Sequence, residues 1–243
     1  MGSWECGTPN SELSGRECRI MSYYPIFLEL EGKIALVIGG GRVSERKIET
    51  LLSYGASIDI VSKNLTDKLK GLVEVGQIRH LGEEFREAYL DKAFLVVAAT
   101  DDKELNHKVS ERARERGLLV NAVDQPADCN FIVPSVVKRG DLLIAISTSG
   151  KSPALSKKIR RELERQFGRE YEIFLALMGR VRKEILSKGF SQKENRRIFH
   201  EIVDSEILDA LARNDLEAVE SILIQILPED FVIKEVLNDN VHT

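Results

Sequence analysis

The stretch Val37 to Lys47, VIGGGRVSERK, limits the fold more than any other part of the chain. The residues leading into it, Lys33 to Ile38 (KIALVI), read as a short apolar strand, and Val43 to about Tyr54 reads as a helix. A strand that turns into a helix through glycines leaves backbone N–H groups clustered at the helix N-terminus, where anions bind. Gly55 closes the helix, and Ser57 to Ser62 (SIDIVS) follows as a second strand. A strand, a crossover helix and a second strand make a βαβ unit, which calls for a parallel sheet.

The pattern continues. A weaker strand lies near Ile78 to His80, and Phe94 to Ala99 (FLVVAA) is an unbroken apolar run suited to a central strand buried on both faces. A charged helix is expected from about Asp102 to Arg116, closed by Gly117, and a fifth strand from Leu118 to Val123. This alternation implies an α/β, Rossmann-type doubly wound parallel sheet. The period then changes. Ser135 to Val137, the turn Lys138 to Asp141, and Leu142 to Ile146 read as an antiparallel hairpin. Beyond Ser152-Pro153 the chain reads as almost wholly helical, with Leu155, Ile159, Leu163 and Phe167 recurring every fourth position. A boundary near Pro134 is expected.

Composition excludes several classes. At 43% hydrophobic and 30% charged residues the chain is an ordinary soluble globular protein, and its net charge of -4 does not suggest a nucleic-acid binder. No stretch approaches the roughly 18 apolar residues of a membrane span. The first 20 residues lack the apolar core of a secretory signal and read as a disordered leader or expression remnant, with Met21 the natural start. Cys6, Cys18 and Cys129 are scattered and odd in number, which argues against a disulfide framework or zinc site and fits a reducing cytoplasm. His80, His107, His200 and His242 are unclustered and form no metal motif, so each reads as a surface residue and any metal ligands stay unknown.

The chemistry concentrates in three places. Gly39-x-Gly41-x-x-Ser44 matches the dinucleotide fingerprint, with Ser44 a small residue in the third glycine slot. The end of the second strand, Val61 to Asn64, lacks the acidic ribose ligand. Asp59 comes early and alternates with Ile58 and Ile60, so it need not face the cofactor, and spacing does not separate NAD from NADP. AATDD, Ala98 to Asp102, ends the central strand, where ligands of open sheets sit; Thr100 and Asp101 can line that site, cap the next helix, or do both. Asp124, in NAVDQPADCNF, ends the fifth strand. It reads either as a reactive carboxylate or as a turn carboxylate capping the Gln125-Pro126 bend.

YPIFLELEGKIALVIGGGRVSERKIETLL, AATDDKELN, VNAVDQPADCNFIVPS and STSGKSPALSKKIRREL occur in this order, and together they resemble the precorrin-2 dehydrogenase family. That family includes the N-terminal module of siroheme synthases and stand-alone dehydrogenase–ferrochelatases. The likeness spans about Tyr23 to Gly189 and extends more loosely into the tail. It implies NAD-dependent oxidation of precorrin-2 to sirohydrochlorin, to which some members add insertion of Fe2+ as a substrate. The family's catalytic aspartate falls on Asp124, as a general acid/base. Its cofactor contacts fall on Arg42 and Val43, and on Lys63 and Asn64, beside Gly39, Gly41, Thr100 and Asp101. It implies a homodimer built by the hairpin and following helix, with substrate held between subunits. A serine that some siroheme synthases phosphorylate aligns with Thr148, a departure that leaves open whether this regulation carries over.

The expected organisation is a leader (1–20), an NAD-binding Rossmann domain (21–133), a dimerisation region (134–170) and a helical substrate-binding module (171–243). Precorrin-2 is a polycarboxylate, and Lys151 to Ile198 carries fourteen Lys and Arg against six Asp and Glu, a favourable field for a polyanion. Glu201 to Thr243 reverses this, with two against eleven. Thr148, Ser149 and Gly150 run into a helix N-terminus, a natural seat for a carboxylate, and Lys157, Arg160 and Arg161 follow as substrate contacts. The competing view of the basic stretch is a solvated helix face. The competing function is a nucleotide-sensing Rossmann module without catalysis, and Asp124 with the basic stretch argues against it. No nucleic acid or membrane partner is expected.

Overall fold

The computed structural model of the protein describes residues 23–229 and 231. The expected leader lies outside these residues, as does the tail beyond Phe231. The chain divides into two compact units between Ile132 and Val133.

The first unit is a five-stranded parallel sheet in the order β3-β2-β1-β4-β5. Its strands are β1 (Ile34–Ile38), β2 (Ser57–Val61), β3 (Ile78–Gly82), β4 (Leu95–Ala98) and β5 (Leu119–Ala122). The helices are α1 (Arg42–Leu52), α2 (Asp67–Glu74) and α3 (Lys103–Glu115), with 3-10 turns at Glu87–Lys92 and Pro126–Asp128. Strand alternation sorts the core onto two faces. Leu36, Ile38, Val96 and Ala98 pack with Val109 and Ala113 of α3. Ala35, Val37, Ile58, Ile60 and Val97 pack with Ile48 of α1 and Leu69 of α2 on the other face. All four residues of β4 are buried, which explains why its sequence is continuously apolar rather than alternating. Burying each of Leu95, Val96 and Val97 contributes about 1.5–3 kcal/mol.

Helix α2 is absent from the sequence reading. It has eight residues with Gly71 inside it, too short for a 3.6-residue period to show. Its start was nevertheless written locally, because the Thr66 hydroxyl caps the Leu69 N–H.

The second unit opens with the antiparallel pair β6 (Ser135–Arg139) and β7 (Leu142–Ile146), in register from Ser135↔Ile146 to Arg139↔Leu142. Five helices follow among the described residues: α4 (Pro153–Gln166), α5 (Glu170–Ser187), α6 (Gln192–Val203), α7 (Ile207–Ala212) and α8 (Leu216–Ile226). Arg139 ties the hairpin to the end of α4, donating Nε to the Phe167 carbonyl at 2.9 Å and Nη2 to the Glu164 carbonyl at 2.9 Å. Cations suit those unpaired terminal carbonyls. Phe174, Leu177, Val181 and Ile185 of α5 form a core with Ile198 and Ile202 of α6, Ile207 of α7 and Leu223 of α8. The α4 stripe is covered less well: Leu155 is 47% exposed, and Ile159, Leu163 and Phe167 are half-buried.

Candidate active site

In a parallel sheet ordered 3-2-1-4-5 the strand order reverses between β1 and β4, and the crevice beyond their carboxyl ends is the natural ligand site. A cleft of about 560 Å³ lies there. All eight residues expected to contact cofactor line it: Gly39, Gly41, Arg42, Val43, Lys63, Asn64, Thr100 and Asp101.

The three glycines have different jobs. Gly39 has φ +115, and a Cβ there would sit 2.3 Å from the Ala99 carbonyl oxygen. A Cβ on Gly40 would sit 2.1 Å from the Asn64 carbonyl oxygen. Both let neighbouring backbone close in. Gly41, the N-cap of α1, has φ -83, and a Cβ there would meet nothing within 4 Å. Its missing side chain therefore serves no packing need among the described residues, and it leaves room for a ligand at the helix N-terminus. That is the arrangement a pyrophosphate requires. Ser44 is fully buried, with its hydroxyl 3.4 Å from the Ala99 carbonyl, so it fills the third slot as a packing residue. The sequence fingerprint singles out Gly39 and Gly41 and misses Gly40. The signal for it is the tight return of the β2–α2 loop, where Thr66 N–H bonds the Gly40 carbonyl at 3.0 Å.

At the end of β4, neither Thr100 nor Asp101 is the helix cap. Asp102 caps α3, accepting from the Glu104 and Leu105 N–H groups at 3.0 Å each. Thr100 is held instead by buried Asn106, whose Oδ1 accepts the Thr100 hydroxyl at 2.7 Å. Asp101 is exposed on the cleft rim.

Asp124 lies on the same edge. The β4–β5 register pairs Ala98 with Ala122, so Thr100 and Asp124 each stand two residues beyond the last paired position. Asp124 has φ 59, a left-handed conformation that non-glycine residues adopt at a cost. It does not cap the bend that follows: the Pro126–Asp128 turn begins at Gln125 and has no side-chain cap. Its carboxylate is exposed.

The neighbouring groups are perturbed by burial. Desolvation pushes the Cys129 thiol above its ordinary value, and the thiol is bracketed by the Ala122 N–H and carbonyl, each at 3.2 Å. Burial lowers Lys47 on α1, against a smaller opposing effect from Cys129.

The residues expected to meet substrate lie in the second unit. Ser149 (φ 51) and Gly150 (φ 79) make a left-handed turn before α4. Thr148 Oγ1 accepts the Ser152 N–H and lies 3.1 Å from Ser156 Oγ, so it builds this turn. Lys157 and Arg161 are exposed and one helical turn apart, whereas Arg160 is paired with Glu164. Among the described residues no group of three or more His, Cys, Asp and Glu is placed to hold a metal ion, and no helix is long and apolar enough to cross a membrane.

Comparison with known proteins agrees with this geometry. A family profile described as "Putative NAD(P)-binding" matches residues 26–135, and one described as "Sirohaem biosynthesis protein central" matches residues 139–166. The siroheme synthase of Photorhabdus laumondii is 35% identical over 209 residues, covering 86% of this chain and 44% of that protein. That of Methylobacillus flagellatus is 42% identical over 183 residues, covering 75% of this chain and 39% of that protein. The chain thus spans less than half the length of these relatives. Among solved structures, one titled "SirC, precorrin-2 dehydrogenase" superposes with a TM-score of 0.68 at 29% identity, covering 82% of this chain and 100% of that one.

Proposed function

Because this chain belongs to the family whose NAD(P)-binding and sirohaem-biosynthesis central segments it carries in order, we propose that it oxidises precorrin-2 to sirohydrochlorin with NAD. The observation that carries this reading is the pairing on one sheet edge of an open glycine cradle at Gly41 with an exposed carboxylate, Asp124, that does not cap the turn after it.

Gly41, Arg42 and Val43 would hold the pyrophosphate at the α1 N-terminus, and Lys63 and Asn64 would contact the rest of the cofactor from the end of β2. When bound, NAD supplies a hydride acceptor. The chain's own residues do the rest. Thr100, fixed by Asn106, walls the cleft at the end of β4. Dehydrogenation removes a hydride and a proton from the macrocycle, and Asp124 would take that proton, directly or through water. Lys157 and Arg161, with the Thr148–Gly150 turn, meet substrate carboxylates.

Some members of the family also take ferrous iron as a second substrate, and whether this chain does is an open part of the proposal. Iron insertion requires the inner pyrrole protons to leave, and the same carboxylate can receive them. The half-exposed α4 stripe favours a homodimer through the hairpin and α4. A free Cys129 fits the reducing cytoplasm.

Incubation with precorrin-2 and NAD, followed by the sirohydrochlorin absorbance, tests the assignment. NAD-dependent appearance of product is expected, and its absence from folded protein that binds NAD would leave the nucleotide-sensing module. Adding Fe2+ scores the second reaction in the same cuvette.

A further inference from the structure

Two consecutive residues of α3 reach two different loops. Asn106 Oδ1 accepts from the Thr100 hydroxyl at 2.7 Å and from its N–H at 3.2 Å, and Nδ2 donates to the Thr100 carbonyl at 2.9 Å. His107 Nδ1 lies 2.7 Å from Asp128 Oδ1 in the loop that carries Asp124. Asp128 is 8% exposed, and its second oxygen accepts from Gln125 Nε2 at 3.0 Å. The same Nε2 donates to the Lys103 carbonyl on α3 at 3.2 Å. Gln125 is the residue after Asp124.

This network is more than loop closure demands. Backbone bonds from Asp128 N–H to the Gln125 carbonyl (2.9 Å) and from Cys129 N–H to the Pro126 carbonyl (3.2 Å) already close the 3-10 turn. Arg114, farther along α3, separately holds the Ala127 and Cys129 carbonyls at 2.7 and 2.9 Å. Burying a carboxylate is costly unless it is fully bonded, and a turn already closed by backbone does not require one. What the His107–Asp128–Gln125 chain adds is a fixed direction for the peptide that leaves Asp124. Asp124 needs that support, since its left-handed backbone is not one it would favour in a free loop.

We infer that His107 and Asp128 are positioning residues for Asp124. Through Gln125 they set its carboxylate at a fixed offset from Thr100, so that α3 frames both the cofactor wall and the acid/base loop. The inference rests on the reading of Asp124 as the acid/base. Neither residue touches substrate, and both act through the loop.

The test is steady-state turnover of the full chain with precorrin-2 and NAD in His107→Ala, Asp128→Ala and Asp128→Asn, each alone and combined with Asp124→Asn. The His107 side chain is 64% exposed, so its variant keeps the fold even if Asp128→Ala does not. Misplacing a reacting group by about 1 Å can cost 10²-fold, and a loosened loop should lower kcat by about 10-fold. KM for the tetrapyrrole and the Kd of NAD should stay put. Asp128→Asn keeps the shape and can bond both partners, so it should recover most of the loss. In the Asp124→Asn background the same changes should cost nothing further. Unchanged kcat in His107→Ala, or an equal fractional loss in both backgrounds, overturns the inference while leaving Asp124 in its role. Parental turnover of Asp124→Asn alone overturns the acid/base reading, and the positioning role falls with it.

Discussion

Arg79 grips Asp59 from the neighbouring strand, its Nε and Nη2 donating to the two carboxylate oxygens at 2.8 and 2.6 Å. The one acid near the end of β2 is therefore tied to β3, and the cleft lining at Ser62, Lys63 and Asn64 carries none. Arg79→Ala would leave a carboxylate of a 6% exposed residue without its partner. Such a loss costs about 1–3 kcal/mol, visible as a lower Tm, while NAD affinity should hold. A weakened NAD titration with normal Tm would instead put Asp59 on the ribose.

The glycines separate fold from cofactor. Gly41→Asp should melt like the parent, because φ -83 suits any residue, a Cβ there meets nothing, and aspartate is a good N-cap. Its carboxylate should abolish NAD binding by occupying the pyrophosphate's place. Gly39→Ala should lose both, since its Cβ would overlap the Ala99 carbonyl from a backbone at φ +115. Paired melting curves and NAD titrations check this. Intact NAD binding in Gly41→Asp would remove the cofactor from this helix terminus.

Charge at α4 should matter unevenly. Arg160 already engages Glu164, whereas Lys157 and Arg161 are exposed on the same helix. Neutralising Lys157 or Arg161 with methionine should raise KM for the tetrapyrrole several-fold, more than Arg160→Met does. The effect should fade as salt shortens the Debye length from about 30 Å at 0.01 M to about 10 Å at 0.1 M. Equal KM values at both salts would make this a solvated face.

Cys129 gives a pH signature. Burial holds its thiol above the ordinary 9.0, so the folded state binds more protons than the unfolded one between the two values. That contribution to stability is complete below the ordinary value and is lost as pH climbs through the raised one. Iodoacetamide at pH 8 should label Cys129 more slowly in folded protein than in urea, and Cys129→Ala should flatten the alkaline fall in stability. Equal labelling rates would contradict the shielding of this half-buried thiol.

Much of the first unit was legible because its strands and turns are local. The Val37–Lys47 stretch announced the βαβ unit, and FLVVAA announced a central strand. The residues expected to contact cofactor line one cleft because strand order brings the ends of β1, β2 and β4 to one edge. The fingerprint alone does not show that Gly41, not Gly39 or Gly40, leaves the open space. What stayed hidden depends on contacts between distant residues. Arg79 and Asp59 are 20 positions apart, and His107 and Asp128 are 21 apart. Residue type placed His107 on the surface, which its exposure supports, yet it could not show that one ring nitrogen bonds a buried carboxylate. The alternative that Asp124 caps its own bend was the weaker reading but stayed open in the sequence, and the turn geometry sets it aside.

The central claim is that Asp124 moves the proton while the glycine cradle holds the cofactor. The most direct test is kcat of Asp124→Asn for precorrin-2 oxidation, measured beside the Kd of NAD on the same preparation. The substitution keeps size and a hydrogen-bonding oxygen but removes the proton acceptor. General acid–base groups contribute about 10²- to 10⁴-fold, so kcat should fall within that range with NAD affinity unchanged. Parental kcat in a variant that binds NAD normally would contradict the account.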